Sequence, residues 1–204
     1  MNLFGFLPSP LPTGLLAPGF WVLQDGFVNL YVVRGSEGLL CVDAGWRPSR
    51  VIQAFTALGL DVRDVATVML THRHWDHARG VRAFPDASVF PEKTGTRCDI
   101  GWEDGSLDVG NMKVRALACP GHTEDSMAYV VSDRWMFTGD TVWLRDGRAS
   151  PNPAWFNRDN KALRDSLHRL ATLDGVEGIF TAHSGATWDV ARAMEPWQDG
   201  ELHP

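Results

Sequence analysis

The chain has 204 residues, of which 44% are hydrophobic and 22% are charged, and its formal net charge is −6. These values exclude a low-complexity or fibrous protein, and we expect residues 1–204 to form one globular domain with a substantial core. Because a negative chain has no general attraction for phosphate backbones, nucleic acid is disfavoured as a partner. The three cysteines form no CxxC pair, which argues against a disulfide scaffold and favours a reducing, cytoplasmic location.

The N-terminal segment, residues 1–19, is apolar but is interrupted by prolines at positions 8, 10, 12 and 18. It lacks a basic region, so it is a poor signal peptide, and its prolines prevent a membrane-spanning helix. We therefore expect an irregular arm that packs over the domain, and we expect no membrane span.

After this arm, short apolar and β-branched segments bounded by turn residues predict strands. In chain order they are Phe20–Gln24, Val28–Arg34, Gly38–Asp43, Val65–Leu70, Ala87–Phe90, Leu107–Val109, Met112–Ala118, Met127–Ser132, Trp135–Thr138 and Val176–Phe180. Apolar residues at helical spacing predict the helices Ser49–Leu58, Ala78–Phe84, Asn160–Leu173 and Thr187–Met194. Every sheet and helix must bury one face, and two central sheets covered by outer helices would do so, as in an α+β fold.

The segment Thr71–His77, with the sequence THRHWDH, contains three histidines and one aspartate directly after a predicted buried strand. Imidazole and carboxylate groups together suit zinc, iron or manganese. On a turning loop, His72 and His74 can serve one metal ion while Asp76 and His77 serve a second.

Three further candidate ligands follow the ends of later predicted strands. His122 lies in the segment CPGHT, Asp140 in TGD and His183 in AHSG. A glycine within two residues of each of them allows the backbone to turn tightly. Because strand ends that lead into loops along one sheet edge can converge, we expect these side chains to meet the THRHWDH segment.

THRHWDH resembles the HxHxDH signature of the metallo-β-lactamase superfamily. The segments VDAG at residues 42–45, CPGHT, TGD and AHSG resemble further motifs of that family in the same order, between Phe20 and Gly185. The resemblance implies a four-layer αββα sandwich with a dinuclear metal site, and it implies that Asp43 supports the ligand loop without binding metal. It implies these ligand sets: His72, His74 and His122 for the first metal, Asp76, His77 and His183 for the second, with Asp140 bridging.

The resemblance also implies a metal-dependent hydrolase in which a hydroxide activated by two metal ions attacks a small ester, thioester or lactone. Asp76 or Asp140 would handle the proton. Zinc is the favoured cofactor, and iron or manganese is compatible with the same ligands. The partner is then a small-molecule substrate, and the oligomeric state is open, a homodimer included.

Three other functions stay open. One is an iron-dependent oxidoreductase similar to a persulfide dioxygenase, which would use His72, His122 and Asp140. The second is a phosphodiesterase. The third is a non-catalytic scaffold, which the intact ligand set disfavours.

Several other histidine, cysteine and aromatic residues are not among these candidate ligands. His168 in a predicted helix and His203 in the tail match no motif and are expected to be packing or surface residues. Cys119 is expected to be a buried apolar residue and not a ligand. The aromatic and proline-rich segment from Trp143 to Phe156 is interpreted as a loop that either walls an apolar pocket or packs on the surface.

Overall fold

The computed structural model describes residues 8–91 and 103–198, in which two six-stranded sheets are formed. In the first sheet the spatial order of the strands equals their chain order. The strands are β1 (Gly14–Ala17), β2 (Phe20–Asp25), β3 (Val28–Gly35), β4 (Gly38–Val42), β5 (Val65–Met69) and β6 (Ser88–Phe90). Neighbours pair antiparallel from β1 to β4, whereas β4–β5 and β5–β6 are parallel.

The second sheet contains the later strands. They are β7 (Gly105–Val109), β8 (Met112–Ala118), β9 (Met127–Val131), β10 (Trp135–Gly139), β13 (Gly178–Thr181) and β14 (Ala186–Thr187). The pair β10–β13 is parallel, so the chain must cross over between these strands. The crossover carries a separate hairpin, β11 (Trp143–Arg145) and β12 (Arg148–Ser150), followed by a helix.

The helices are α1 (Pro48–Ala57), α2 (Trp75–Ala78), α3 (Asn160–Ala171) and α4 (Val190–Met194). Pro48 occupies the first turn of α1, where its fixed φ suits a helix and its missing N–H costs nothing. Asp159 precedes α3 and accepts hydrogen bonds from the N–H groups of Lys161 and Ala162. Within the described ranges, no helix is long and apolar enough to cross a membrane.

Three buried clusters define the layers. The central cluster lies between the sheets and includes Phe20 of β2 with Phe137 and Phe180 of the second sheet, whose rings contact one another at 4.8–5.7 Å. One outer cluster packs α1 against the first sheet through residues such as Phe55. The other packs α3 and α4 against the second sheet through residues such as Leu167. The predicted α+β, four-layer αββα sandwich is thereby confirmed.

Two predicted helices are placed differently in the structure. The segment predicted as Ala78–Phe84 begins as α2 at Trp75 and continues as a 3-10 turn, Arg79–Ala83. The Gly80 N–H donates to the Gly45 carbonyl instead of extending an α-helical ladder, which explains the short helix. The helix predicted from Thr187 starts only at Val190, because Ala186 and Thr187 pair with β13 as an edge strand.

Two segments interpreted as irregular contain strands. Residues 14–17 of the predicted arm form β1 by pairing with β2, so that prediction is wrong there. The segment from Trp143 to Phe156 is not a simple loop, because it contains the β11–β12 hairpin and a 3-10 turn, Ala154–Phe156. Residues 1–7, Cys98 and His203 lie outside the described residues.

Candidate metal centre

All seven predicted ligand side chains meet at one edge of the sandwich. They form two groups, and within each group one donor atom per residue lies within 4.8 Å of the others. The first group is His72, His74, His122 and Asp140, and the second is Asp76, His77 and His183.

Asp140 lies between the two groups. Its Oδ2 is 3.3 Å from His122 Nε2 and 3.9 Å from His72 Nε2. Its Oδ1 is 3.3 Å from the Nε2 atoms of both His77 and His183. Each oxygen of this carboxylate therefore faces a different group, which is the arrangement that a bridging ligand requires.

The other members of each group also approach closely. In the first group, His74 Nδ1 lies 3.0 Å from His122 Nε2. In the second group, Asp76 Oδ2 lies 3.5 Å from His183 Nε2 and 3.9 Å from His77 Nε2. Each group thus directs imidazole nitrogen and carboxylate oxygen toward a common point.

The donor atoms fit divalent metal ions. His72 Nε2 and His77 Nε2 are buried, and neither forms a hydrogen bond with the described residues. Buried polar atoms in proteins almost always have partners, so two such nitrogens beside carboxylates fit donors to a metal cation. Imidazole and carboxylate ligands without thiolate are compatible with zinc, iron or manganese.

The pKa directions of His72 and Asp140 fit this assignment, whereas that of His77 reflects the carboxylates around it. Burial, followed by the nearby His77, holds the pKa of His72 well below its usual range, which keeps the ring neutral as a ligand must be. Burial would lower the pKa of His77, but the carboxylates of Asp43 and Asp140 outweigh it and raise that pKa. These carboxylates favour positive charge at His77, and a metal ion must displace the proton from this ring to bind it. Burial would raise the pKa of Asp140, but His183 and His77 hold it well below its usual range, so the carboxylate is charged.

Asp43 supports the ligand loop from beneath. Its Oδ2 accepts a hydrogen bond from His77 Nδ1 at 2.8 Å, and its Oδ1 accepts one from the Thr71 N–H at 2.8 Å. The Thr71 hydroxyl also donates to this carboxylate and lies 3.2 Å from His72 Nδ1. A histidine whose Nδ1 is held in this way presents its Nε2 to a metal, so Asp43 occupies the supporting position that the resemblance implied.

The ligands of the second sheet have separate supports. His183 Nδ1 lies 2.8 Å from the Phe27 carbonyl oxygen, and the His183 carbonyl accepts from the Ser9 N–H. The Asn152 amide donates to the Asp140 carbonyl at 2.8 Å and lies 3.5 Å from His122 Nδ1. Neither Asn152 nor Phe27 lies in a recognisable motif, so neither was predicted as part of the site.

A glycine lets β10 end directly against the ligand loop. Gly139 has a φ of +51°, and a Cβ at this position would lie 2.3 Å from Thr71 Oγ1. Only a residue without a side chain fits both the backbone conformation and the space. Gly139 therefore brings the neighbouring Asp140 next to the loop that Asp43 holds.

The ligands open into a cleft of about 490 Å³. Its apolar walls are formed by Pro8, Phe27, Trp75, Trp143 and Phe156. Two members of the aromatic segment, Trp143 and Phe156, thus belong to the cleft. The other prolines and aromatic residues of this segment line a separate depression: Pro151, Pro153 and Trp155.

Residues expected to lie outside the site are found elsewhere. His168 lies in α3, where its Nδ1 is 2.9 Å from the Trp197 carbonyl oxygen. Cys119 is buried in the cluster beneath α3, and burial raises the pKa of its thiol to about 12. Neither belongs to the two ligand groups.

Comparison with known proteins gives three informative similarities. The chain is 33% identical over 191 residues to a hydroxyacylglutathione hydrolase of Pseudomonas entomophila, which covers 86% of this chain and 66% of that protein. It is 32% identical over 181 residues to an atrochrysone carboxyl ACP thioesterase of Passalora fulva, which covers 81% of this chain and 50% of that protein. The chain thus spans about half to two thirds of these relatives.

A solved structure shows the same fold. The metallo-β-lactamase family protein of Thermus thermophilus superposes with a TM-score of 0.64 at 23% identity, over 89% of this chain and 79% of that one. The model of the metallo-beta-lactamase superfamily matches residues 23–96, which include Asp43 and the ligand loop. Together with the two His/Asp groups, these findings show that the chain belongs to the metallo-β-lactamase superfamily.

Proposed function

We propose that this chain is a metal-dependent hydrolase that cleaves carboxylic thioesters. In that reaction water adds to the acyl carbon, the C–S bond breaks, and the products are a carboxylate, a thiol and a proton. The observation that carries the proposal is the pair of ligand groups that share Asp140. Two divalent metal ions in such a site supply a nucleophile at neutral pH and polarise an acyl carbonyl.

The chain's own residues provide the remaining functions. His72, His74 and His122 would hold one metal ion, and Asp76, His77 and His183 the other, with Asp140 held by both. Asp76 and Asp140 also line the cleft, so their carboxylates are the groups placed to take up a proton from water. Asp43 keeps His77 in the tautomer that binds metal.

A thioester is favoured over an ester or lactone by the relatives. One is named as an ACP thioesterase and the other as a hydroxyacylglutathione hydrolase, and both names describe hydrolysis of acyl compounds. The donor set supports zinc as the metal, because imidazole and carboxylate with no thiolate occur at catalytic zinc sites. The complete second group, Asp76, His77 and His183, favours two metal ions over the single iron of a persulfide dioxygenase.

Metal analysis with a substrate panel tests this proposal. Purified protein is stripped with a chelator, reloaded with zinc and assayed against thioesters, esters, lactones and phosphodiesters. We expect two metal ions per chain and thioester hydrolysis that returns with zinc. In His72→Ala, both the metal content and the hydrolysis should fall. His168→Ala is the matched control, because this histidine lies in α3 outside the ligand groups and should leave metal content unchanged.

Three results would contradict the proposal. Full hydrolysis by the metal-free protein would exclude the metal's role. One iron per chain with oxygen consumption would favour the oxidoreductase. Selective cleavage of phosphodiesters would favour the phosphodiesterase.

A further inference from the structure

The walls of the cleft differ in chemistry from its floor. The floor contains the candidate ligands, whereas the wall residues Phe27, Trp75, Trp143 and Phe156 are aromatic. A volume of about 490 Å³ lies within the range of small-molecule sites, so the cleft has room beyond the reacting group. The part of a substrate that extends from the metal centre must therefore meet aromatic side chains.

The aromatic wall is held by packing that does not need a ligand. The Phe27 ring stacks on His183 with centroids 5.7 Å apart and meets Trp75 edge-on at 5.8 Å. Trp46 packs edge-on against Trp75 at 5.1 Å, and its indole N–H donates to the Asp25 carbonyl. The wall is thus largely preformed, which reduces the ordering cost when a ligand binds.

Two of these rings are unusually exposed for their size. Trp75 is 52% exposed and Phe156 is 59% exposed, although both line the cleft beside buried ligands. Exposed aromatic surface next to a polar site indicates a binding surface for an apolar group. Trp143 stacks near His183 with centroids 6.2 Å apart, which continues the same surface past the metal ligands.

The charges that line the cleft distinguish between uncharged and negatively charged substrates. Among the described residues that line it, there is no lysine or arginine, and the charged groups are the carboxylates of Asp76 and Asp140. An anionic group placed against the aromatic wall would lose its water without gaining a partner. The wall therefore disfavours a substrate that carries a negative charge far from the reacting carbonyl.

We infer that the cleft selects thioesters with a bulky, uncharged hydrocarbon acyl group, aromatic groups above all, and that Phe27 and Phe156 are specificity-determining residues. This inference rests on the proposed function. Ring-on-ring contacts add about 2- to 10-fold in affinity beyond the area that they bury. A phenyl group should therefore bind better than an alkyl group of similar area.

The first test compares acyl groups on one neutral thiol, N-acetylcysteamine, with metal-loaded full-length protein. We expect kcat/KM for the phenylacetyl thioester to exceed that for the acetyl thioester by about 10-fold or more, after correction for their rates in alkali. For the 4-carboxyphenylacetyl thioester, kcat/KM should be about 10-fold or more below that for the phenylacetyl thioester, because its distal carboxylate faces the aromatic wall. An acetyl thioester cleaved as well as the phenylacetyl one would overturn the inference and leave the proposed function intact.

The second test uses neighbouring aromatic residues as a matched pair. Phe156 lines the cleft and is 59% exposed, whereas Trp155 lines the separate depression and is 61% exposed. Phe156→Ala should raise KM for the phenylacetyl thioester several-fold more than KM for the acetyl thioester. Trp155→Ala should have a much smaller effect on the ratio of the two KM values, because Trp155 lines the separate depression and reaches the cleft through its contact with Phe156, with ring centroids 5.9 Å apart. Equal effects in both variants would overturn the assignment of Phe156. Phe27→Leu provides a second variant, for which loss of the phenylacetyl preference is also expected.

A binding measurement separates this inference from the proposed function. The thioether S-(2-phenylethyl)-N-acetylcysteamine cannot be hydrolysed, and its Kd can be compared by NMR titration with that of the S-ethyl compound. We expect tighter binding of the phenylethyl compound, with the difference reduced in Phe156→Ala. If no thioester is cleaved, the proposed function fails and the two Kd values still decide the selectivity. Equal Kd values would overturn the inference.

Discussion

Four of the candidate ligands come from one segment of the first half of the chain, residues 72–77, whereas the other three follow β8, β10 and β13 singly in the second half. Their supports differ in the same way. One buried carboxylate, Asp43, holds both His77 and Thr71 in the first half. In the second half, His183 relies on the Phe27 carbonyl and Asp140 on the Asn152 amide.

This contrast has a simple physical origin. A contiguous loop moves as a unit, so one acceptor beneath it can orient several side chains. Ligands that arrive from separate strands share no backbone, so every one of them needs its own partner. We therefore expect substitution of a supporting residue in the first half to affect several ligands together, and substitution of one in the second half to affect a single ligand. Asp140 is the exception, because it faces both ligand groups.

Asp140→Asn should give the largest effect, because Asp140 faces both ligand groups. The amide keeps the size of the side chain but removes the charge and places an N–H₂ group against a metal. We expect metal content to fall below two ions per chain. The hydrolysis rate should fall by more than the ~10–100-fold typical when a residue that only hydrogen-bonds to a ligand is replaced. Elemental analysis and kcat/KM measure these effects. Asp165→Asn, the same change at a surface ion pair in α3, should alter neither.

Two bound metal ions in Asp140→Asn would contradict the role of Asp140 as a ligand that both groups share. It would mean that the two groups hold their ions independently and that the carboxylate does not connect the halves.

Gly139→Ala should give the next largest effect, on stability. A Cβ here would meet Thr71 Oγ1 at 2.3 Å, and φ is +51°. We expect the free energy of unfolding to fall by about 2–5 kcal/mol, from the left-handed backbone and the overpacking together. Gly59→Ala isolates the backbone contribution, since Gly59 has a φ of +69° and nothing within 4 Å of its Cβ position. Urea unfolding should show a loss of only about 1–2 kcal/mol for that control.

Equal losses of unfolding free energy in Gly139→Ala and Gly59→Ala would contradict the steric role of Gly139. They would show that the Thr71 side chain yields without cost, so that the two halves are less tightly joined than their close approach indicates.

Asp43→Asn tests the shared support of the first half. Asp43 has a φ of +59°, a conformation that asparagine tolerates, so the backbone should be preserved. The amide can still accept from the Thr71 N–H, but its own N–H₂ would face His77 Nδ1 and reverse the ring's tautomer. The proton would then sit on Nε2, where metal must bind. We expect metal affinity to fall by about 10–100-fold, measured by competition with a chromogenic chelator.

Asp43→Ala is the companion variant, because it removes the carboxylate and adds backbone strain. Its metal affinity should fall at least as far, and its unfolding free energy should fall more than that of Asp43→Asn. Unchanged affinity in the asparagine variant would contradict the role of Asp43.

The same contrast explains what could be predicted from sequence. The ligand loop is recognisable because His72, His74, Asp76 and His77 are adjacent in the chain, so their spacing alone carries the signal. The alternation of apolar and charged residues predicts β8 at both ends: Met112–Ala118 contains Lys113 and Arg115 between its apolar residues. The layer order needed the resemblance to a family, because residue periodicity does not specify which sheets pack together.

The supports of the second half could not be predicted. The partner of His183 is a backbone carbonyl of Phe27, and every residue type carries such a carbonyl. The strand β14 is two residues long and depends on pairing with β13 rather than on its own composition. Asn152 carries no motif, and its only signal was its place in the segment after Asp140.

Asn152→Ala should therefore give the smallest of these effects. The variant removes a hydrogen bond to the Asp140 carbonyl and a neighbour of His122, but it leaves the charged ligands and their tautomers in place. One neutral hydrogen bond is worth about 0.5–1.5 kcal/mol, so metal affinity should fall by about 2- to 10-fold, less than for Asp43→Asn. The same chelator competition measures both variants. A loss in Asn152→Ala as large as in Asp43→Asn would mean that the scattered ligands depend on one shared support after all, and the distinction between the halves would fail.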